Sequence, residues 1–246
     1  MRWPTAREEL LLRAATGRPA EALNAWGRWL ATGSLDESDA IESYSLLPAV
    51  YRNLQRLGAD APELARLKGI YRHTGYQNHL LLRAAADAVA TLAAAGIETV
   101  VLKGAALLLL TYRDVGLRTM NDVDILVRPG HALAAGRALR EAGWTCAFPG
   151  QRFEGAVAVL HAAGFTAPGL RSLDLHWAML EECCYAGADD AAWAAAVPFS
   201  FEGVATRSLC ATDLLLHVCV HGSRGSPAHV IHWVADAIAI LRDAEC

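Results

Sequence analysis

Two short runs decide how this chain folds: Val100-Val101-Leu102-Lys103-Gly104-Ala105-Ala106, and Asn121-Asp122-Val123-Asp124-Ile125-Leu126-Val127. The first is β-branched up to Leu102, then meets a charge and a glycine, and continues as Ala and Leu. That order predicts a strand, a tight turn and a compact helix over 105–112. The second run alternates acid and aliphatic from Asp122 to Ile125, as a strand with one buried face does. Residues 113–121, which hold Asp114, Gly116 and Asn121, read as the loop between them.

Working outward, the N-terminal side carries apolar residues at three- and four-residue steps. The pattern predicts helices over 6–16 and 20–31, a third ending near Leu57, and a long one over 62–95 with a break near Gly69 or Gly75. Gly96 follows as a C-terminal stop. On the other side Pro129 starts a helix that Gly143 ends. Short strands are expected at 144–147, 153–160 and 171–177, then a helix near Asp190, a strand or hairpin over 197–209, and helices over 212–221 and about 228–242. This is an α+β chain: an N-terminal helical region at 1–95, an α/β core at 96–209 with a small mixed sheet, and a C-terminal helical region at 210–246.

Composition narrows the classes of function. Of the 246 residues, 54% are hydrophobic, which excludes a mostly disordered chain. Net charge is −4 with both signs scattered, so the clustered Lys and Arg of a nucleic-acid surface are lacking. The apolar run at 100–110 is too short to span a bilayer and is broken by Lys103 and Gly104. The first residues have no signal-peptide core, so the expectation is a cytoplasmic protein. The six cysteines form no CxxC pair and read as reduced thiols.

The chemistry centres on Asp122 and Asp124. In a strand they project to one face while Val123, Ile125 and Val127 enter the core. Two carboxylates so close repel unless a cation lies between them, and Mg2+ (or Mn2+) is the hard ion that takes carboxylates together with phosphate oxygens. A third carboxylate on a neighbouring strand would complete a two-metal site, and Asp174 in Ser172-Leu173-Asp174-Leu175-His176-Trp177 has the right alternation. A solvated strand face is the competing explanation for any isolated Asp-x-Asp. Upstream, the strand–glycine–helix order at Gly104 offers backbone N–H groups to an anion, and Lys103 adds a full charge.

These residues resemble the uncharacterised nucleotidyltransferase family, within the DNA polymerase β-like nucleotidyltransferase superfamily. The likeness is carried by Leu102 to Ala106, by the run from Tyr112 to Val127, and by Leu46 to Tyr51, Asp174 to Trp177 and the helical segment near 215–236. It implies a small mixed sheet with helices, a divalent cation (Mg2+) and a nucleoside triphosphate (NTP) as substrate. On that pattern Gly104 lies in the phosphate loop beside Lys103, Asp122 and Asp124 bind metal, and Asp174 is the third acid. Arg118 stands before the metal strand, ready for phosphate or for an acid such as Asp114 or Asp122. Where the superfamily has Gly-Ser or Gly-Gly, this chain has Gly104-Ala105 and so no hydroxyl. Three activities fit: transfer of a nucleoside monophosphate to an unidentified acceptor with release of pyrophosphate, a catalytically inactive binding protein on the same fold, or transfer of the γ-phosphate.

Other candidates carry less. His176 shares the Asp174 face and could orient substrate, act as a base, or be structural. His217 and His221 have zinc-compatible spacing but lack the glutamate of a metalloprotease helix. His229, His232 and Asp236 are candidates for lining the cleft. Cys183-Cys184 lacks an activating neighbour, and Trp26, Trp29, Trp193 and Trp233 read as core anchors.

Overall fold

The computed structural model describes residues 4–33, 35, 45–167, 171–224 and 231–244. In chain order its principal elements are α1 (Ala6–Thr16), α2 (Pro19–Ala31), α3 (Leu47–Arg56), α4 (Leu64–Ala94), β1 (Val100–Val101), α5 (Lys103–Ala106), a π-helical turn (Leu107–Tyr112) and β2 (Asp122–Leu126). There follow α6 (Ala132–Glu141), β3 (Thr145–Cys146), α7 (Gln151–Val159), β4 (Ala162–Ala167), β5 (Arg171–His176), α8 (Asp190–Ala195), β6 (Val197–Phe201), β7 (Val204–Ser208), α9 (Ala211–Ser223) and α10 (His232–Ala244). The contacts divide into two compact units, His79–Ala106 with Met120–His217, and Met1–Asn78 with Leu107–Thr119 and Val218–Cys246.

The first unit holds one mixed sheet in the order β3-β4-β5-β2-β1-β7-β6, so the chain is α+β. β1 lies antiparallel to β2 and parallel to β7, and β2 lies parallel to β5. β6 and β7 form the hairpin expected over 197–209, turning at Glu202 and Gly203, both with positive φ. Val123, Ile125, Leu173 and Leu175 are fully buried, so the odd-numbered face of β2 and β5 is the core face.

One expected strand is corrected here. Residues 153–160 are not a strand: Gln151–Val159 is helical and buries Phe153 and Ala156, one turn apart. Phe153 meets Phe165 and Trp177 edge-on, and a Cβ at Gly136 would run into its ring. Periodicity over so short an apolar run does not separate the two states. The strand lies instead at Ala162–Ala167, where the alanines and Gly164 disfavour it and only Phe165 and Thr166 favour it; pairing with β5 along its whole length decides the matter.

The second unit is helical. Leu11, Trp26, Trp29, Leu47, Val50, Leu54, Leu67 and Ile231 build its core, with Trp26 and Trp29 stacked at 5.1 Å. A capping box at Thr5 and Glu8 starts α1. α4 passes Gly69 and Gly75 without a break. A Cβ at Gly75 would lie 3.5 Å from Gly116 Cα, an ordinary contact, and one at Gly69 would meet nothing, so packing forces neither glycine.

The loop at 113–119 is tied down in this unit. Asn78 donates its side-chain N–H groups to the carbonyls of Val115 and Arg118, both at 2.7 Å. Tyr71 Oη and the Gly116 N–H donate to Asp114 Oδ1, and Gly116 sits against the Tyr71 ring with no room for a Cβ.

Candidate functional site

Register makes the site. Parallel pairing sets Asp124 opposite Asp174 and Leu126 opposite His176, all on the strand face away from Leu173 and Leu175. On the other side of β5, antiparallel β4 places Gly164 beside Asp174 and Ala162 beside His176. Both are small; a Cβ at Gly164 would lie 3.4 Å from Asp174 Oδ1. Four ionisable side chains therefore meet on one patch: Lys103, Asp124, Asp174 and His176.

Asp124 is the hub. Its Oδ1 accepts from Lys103 Nζ at 2.7 Å and lies 2.9 Å from His176 Nε2, with the carboxylate and the imidazole both buried. Since an ionised carboxylate only accepts, Nε2 carries the proton in this contact. The Leu102 N–H donates to the Asp124 carbonyl at 2.9 Å, fixing the approach of the Lys103 turn. Burial pushes the Asp124 carboxyl up, but Lys103 and His176 outweigh it and hold it well below the usual carboxylate range. Asp174 goes the other way: burial and the Asp124 charge push its carboxyl up, against the smaller pull of His176 and Lys103. Two neighbouring carboxyls with opposed shifts are a functional-site signature with a physical origin.

Lys103 supplies a second signature. Its φ is 41°, in the left-handed region that costs a non-glycine residue of order 1–3 kcal/mol. The turn expected at Gly104 is made at Lys103, and Gly104 is the buried second residue of α5. The Lys103 ammonium lies on Asp124.

Asp124, Asp174 and His176 each offer a ligand atom within 4.8 Å of the others. Two carboxylate oxygens and an imidazole nitrogen around one point are a donor set that fits a divalent cation. Asp122, also expected to bind metal, lies outside this group, one step along the same strand face opposite Ser172. His176 was the candidate with the vaguest role. Its position in the group follows from the register, which its spacing from Asp174 alone does not reveal.

The remaining candidates go elsewhere. In the helical unit Arg118 Nε donates to both oxygens of Asp236, at 3.1 and 3.0 Å, and Tyr112 Oη donates to Asp236 Oδ1 at 2.8 Å. Asp236 is 2% exposed, so this is a buried ion pair with a phenol completing it. His217, His221 and His232 join no group of three potential ligands among the described residues, and His229 lies outside them. Cys184 is exposed, its thiol pushed up by partial burial and by the charges of Asp189 and Glu181. His161, not singled out from the sequence, packs its ring 5.4 Å from that of His176. A separate groove of about 320 Å3 is lined by Gly96, Glu98, Thr99, Thr206 and Arg207 and shares no residue with the cluster.

The sheet and its acidic patch define an α+β domain with a candidate divalent-cation centre. The chain belongs to the uncharacterised nucleotidyltransferase family, whose model matches residues 39–245. Among solved structures it is similar to an antigenic nucleotidyltransferase-like protein from Paracoccidioides brasiliensis, at 15% identity and a TM-score of 0.45, over 66% of this chain and 75% of that one. No curated protein matches. No helix among the described residues is long and apolar enough to cross a membrane.

Proposed function

We propose that the chain is a divalent-cation-dependent nucleotidyltransferase that moves a nucleoside monophosphate from an NTP to an acceptor hydroxyl or phosphate, releasing pyrophosphate. Family membership supports a transferase, and the meeting of Asp124 with Asp174 across β2 and β5 is the observation that carries the reading. Asp124 and Asp174 hold Mg2+ or Mn2+, and Asp122, on the same strand face, is the ligand for a cation entering with the triphosphate. When bound, the cation supplies charge stabilisation to phosphate oxygens and to the leaving pyrophosphate. Lys103 moves from Asp124 to the triphosphate, beside the Gly104 turn. Asp174, beside the acceptor in this reading, takes the acceptor's proton on a carboxylate oxygen. Arg118, engaged by Asp236, holds the loop that leads into β2.

Calorimetry and a pyrophosphate-release assay test this on the full chain. Asp124→Asn and Asp174→Asn are expected to lose cation-dependent NTP binding and turnover while keeping native circular dichroism. Pyrophosphate release at the wild-type rate in both variants would sink the proposal. One feature favours a second reading, a binding protein without turnover: Ala105, buried at 1% exposure, stands where a phosphate-contacting hydroxyl would. NTP binding without release of pyrophosphate or of nucleoside diphosphate identifies that case, and diphosphate as the product identifies γ-phosphate transfer.

A further inference from the structure

Building on the cation site proposed above, we propose that His176 is itself a cation ligand, through Nε2, and that the centre selects a first-row transition ion over Mg2+. The distances suit direct ligation. Two neighbouring donors of an octahedral ion with bonds of about 2.1 Å stand about 3.0 Å apart. His176 Nε2 and Asp124 Oδ1 are already 2.9 Å apart, and the Asp174 donor lies within 4.8 Å of both. An ion seated between them displaces the Lys103 ammonium from Asp124 Oδ1 and leaves the His176 ring in place. The ring is held for that purpose: it is 3% exposed, stands beside Ala162 in register, and packs on His161.

The alternative role is that of a hydrogen-bond donor that merely orients Asp124. His176 Nδ1 bears on the choice, because it is buried and has no hydrogen-bond partner. Ligation requires the Nε2 proton to leave, and the neutral ring can carry a proton on Nδ1 instead. One ring nitrogen lacks a partner in either tautomer, so ligation adds no unsatisfied buried atom. The orienting role leaves the same nitrogen without a partner, so burial of Nδ1 costs the two roles equally. With Asp122 outside the group, the third donor at this point is nitrogen and not a third carboxylate. Mg2+ favours an all-oxygen shell, whereas imidazole suits first-row transition ions. Mn2+ is the weakest binder of that series, so a preference for Mn2+ over Mg2+ is the stringent case.

Mn2+ added to the full chain, without nucleotide, is the probe. Electron spin-echo spectroscopy is expected to show modulation from a directly bound imidazole nitrogen. Calorimetry is expected to give Mn2+ an affinity about tenfold or more above that of Mg2+. His176→Asp, which makes the donors all oxygen, is expected to remove the nitrogen signal and bring the two affinities together. Mn2+ that binds, is lost in Asp124→Asn and Asp174→Asn, and yet shows no nitrogen coupling overturns the role of His176 while leaving the cation site standing. Binding of neither ion overturns both. The wild-type spectrum decides even where His176→Asp does not fold.

Discussion

Replacing Lys103 by Met removes one charge at nearly constant volume, and its consequence can be worked out from the geometry. At 2.7 Å the attraction between Lys103 Nζ and Asp124 Oδ1 is about 6 kcal/mol at an effective dielectric constant of about 20. Lys103 is 15% exposed and recovers part of its hydration when unpaired, and His176 still donates to the same oxygen. A net loss of about 3 kcal/mol follows, at the low end for breaking a buried pair. The φ of 41° is common to both side chains and cancels. For a chain of this size the melting temperature should fall by about 6–12 °C at neutral pH. Removing the ammonium also removes the cation's competitor for Oδ1. Calorimetric melting with and without Mn2+ is therefore the assay: the deficit of Lys103→Met should shrink as Mn2+ is added, and Lys103→Arg should show a much smaller deficit. Equal melting of Lys103→Met and wild type without cation, or a deficit indifferent to Mn2+, would refute the reasoning.

Two further outcomes concern the helical unit. Asp236→Asn leaves the Arg118 guanidinium and the Tyr112 hydroxyl around a neutral amide, and should cost about 3 kcal/mol in urea unfolding; a loss below about 0.5 kcal/mol would place that pair among inert surface bridges. Tyr71 is pushed up to about 12 by burial and by its hydrogen bond to Asp114. Its folded value exceeds the unfolded one of about 10, so its contribution is complete below pH 10 and is lost as the pH rises toward 12. Unfolding midpoints between pH 9 and 12 should fall less steeply in Tyr71→Phe than in wild type; parallel curves contradict the shift.

The sequence carried more of the fold than of the site. Helix Ala6–Thr16 was legible to the residue, because apolar residues at three- and four-residue steps are a local signal. The α4 helix was legible in extent but not in continuity: a glycine costs a helix only about 1 kcal/mol, which a helix of 31 residues sustains. Strand β4 was hidden because only Phe165 and Thr166 in Ala-Ala-Gly-Phe-Thr-Ala favour a strand, and α7 because nine residues carry too little periodicity.

In the site, alternation alone put Asp122 and Asp124 on one strand face and Asp174 on the polar face of another. The family likeness rested on those same residues. Which acid meets which depends on the β2–β5 register, and pairing shifted by two residues would have set Asp122 against Asp174 instead. That register also brought His176 to Asp124 and left Asp122 beside Ser172. Lys103 was legible as a charge next to a glycine turn, but its partner was not, since a flexible side chain goes to the strongest counter-charge within reach. Sequence by itself determined the residue types, the strand alternation and the family. Only the tertiary structure decided the pairing, because a strand's chemistry is local and its neighbours are chosen by the burial of the whole sheet.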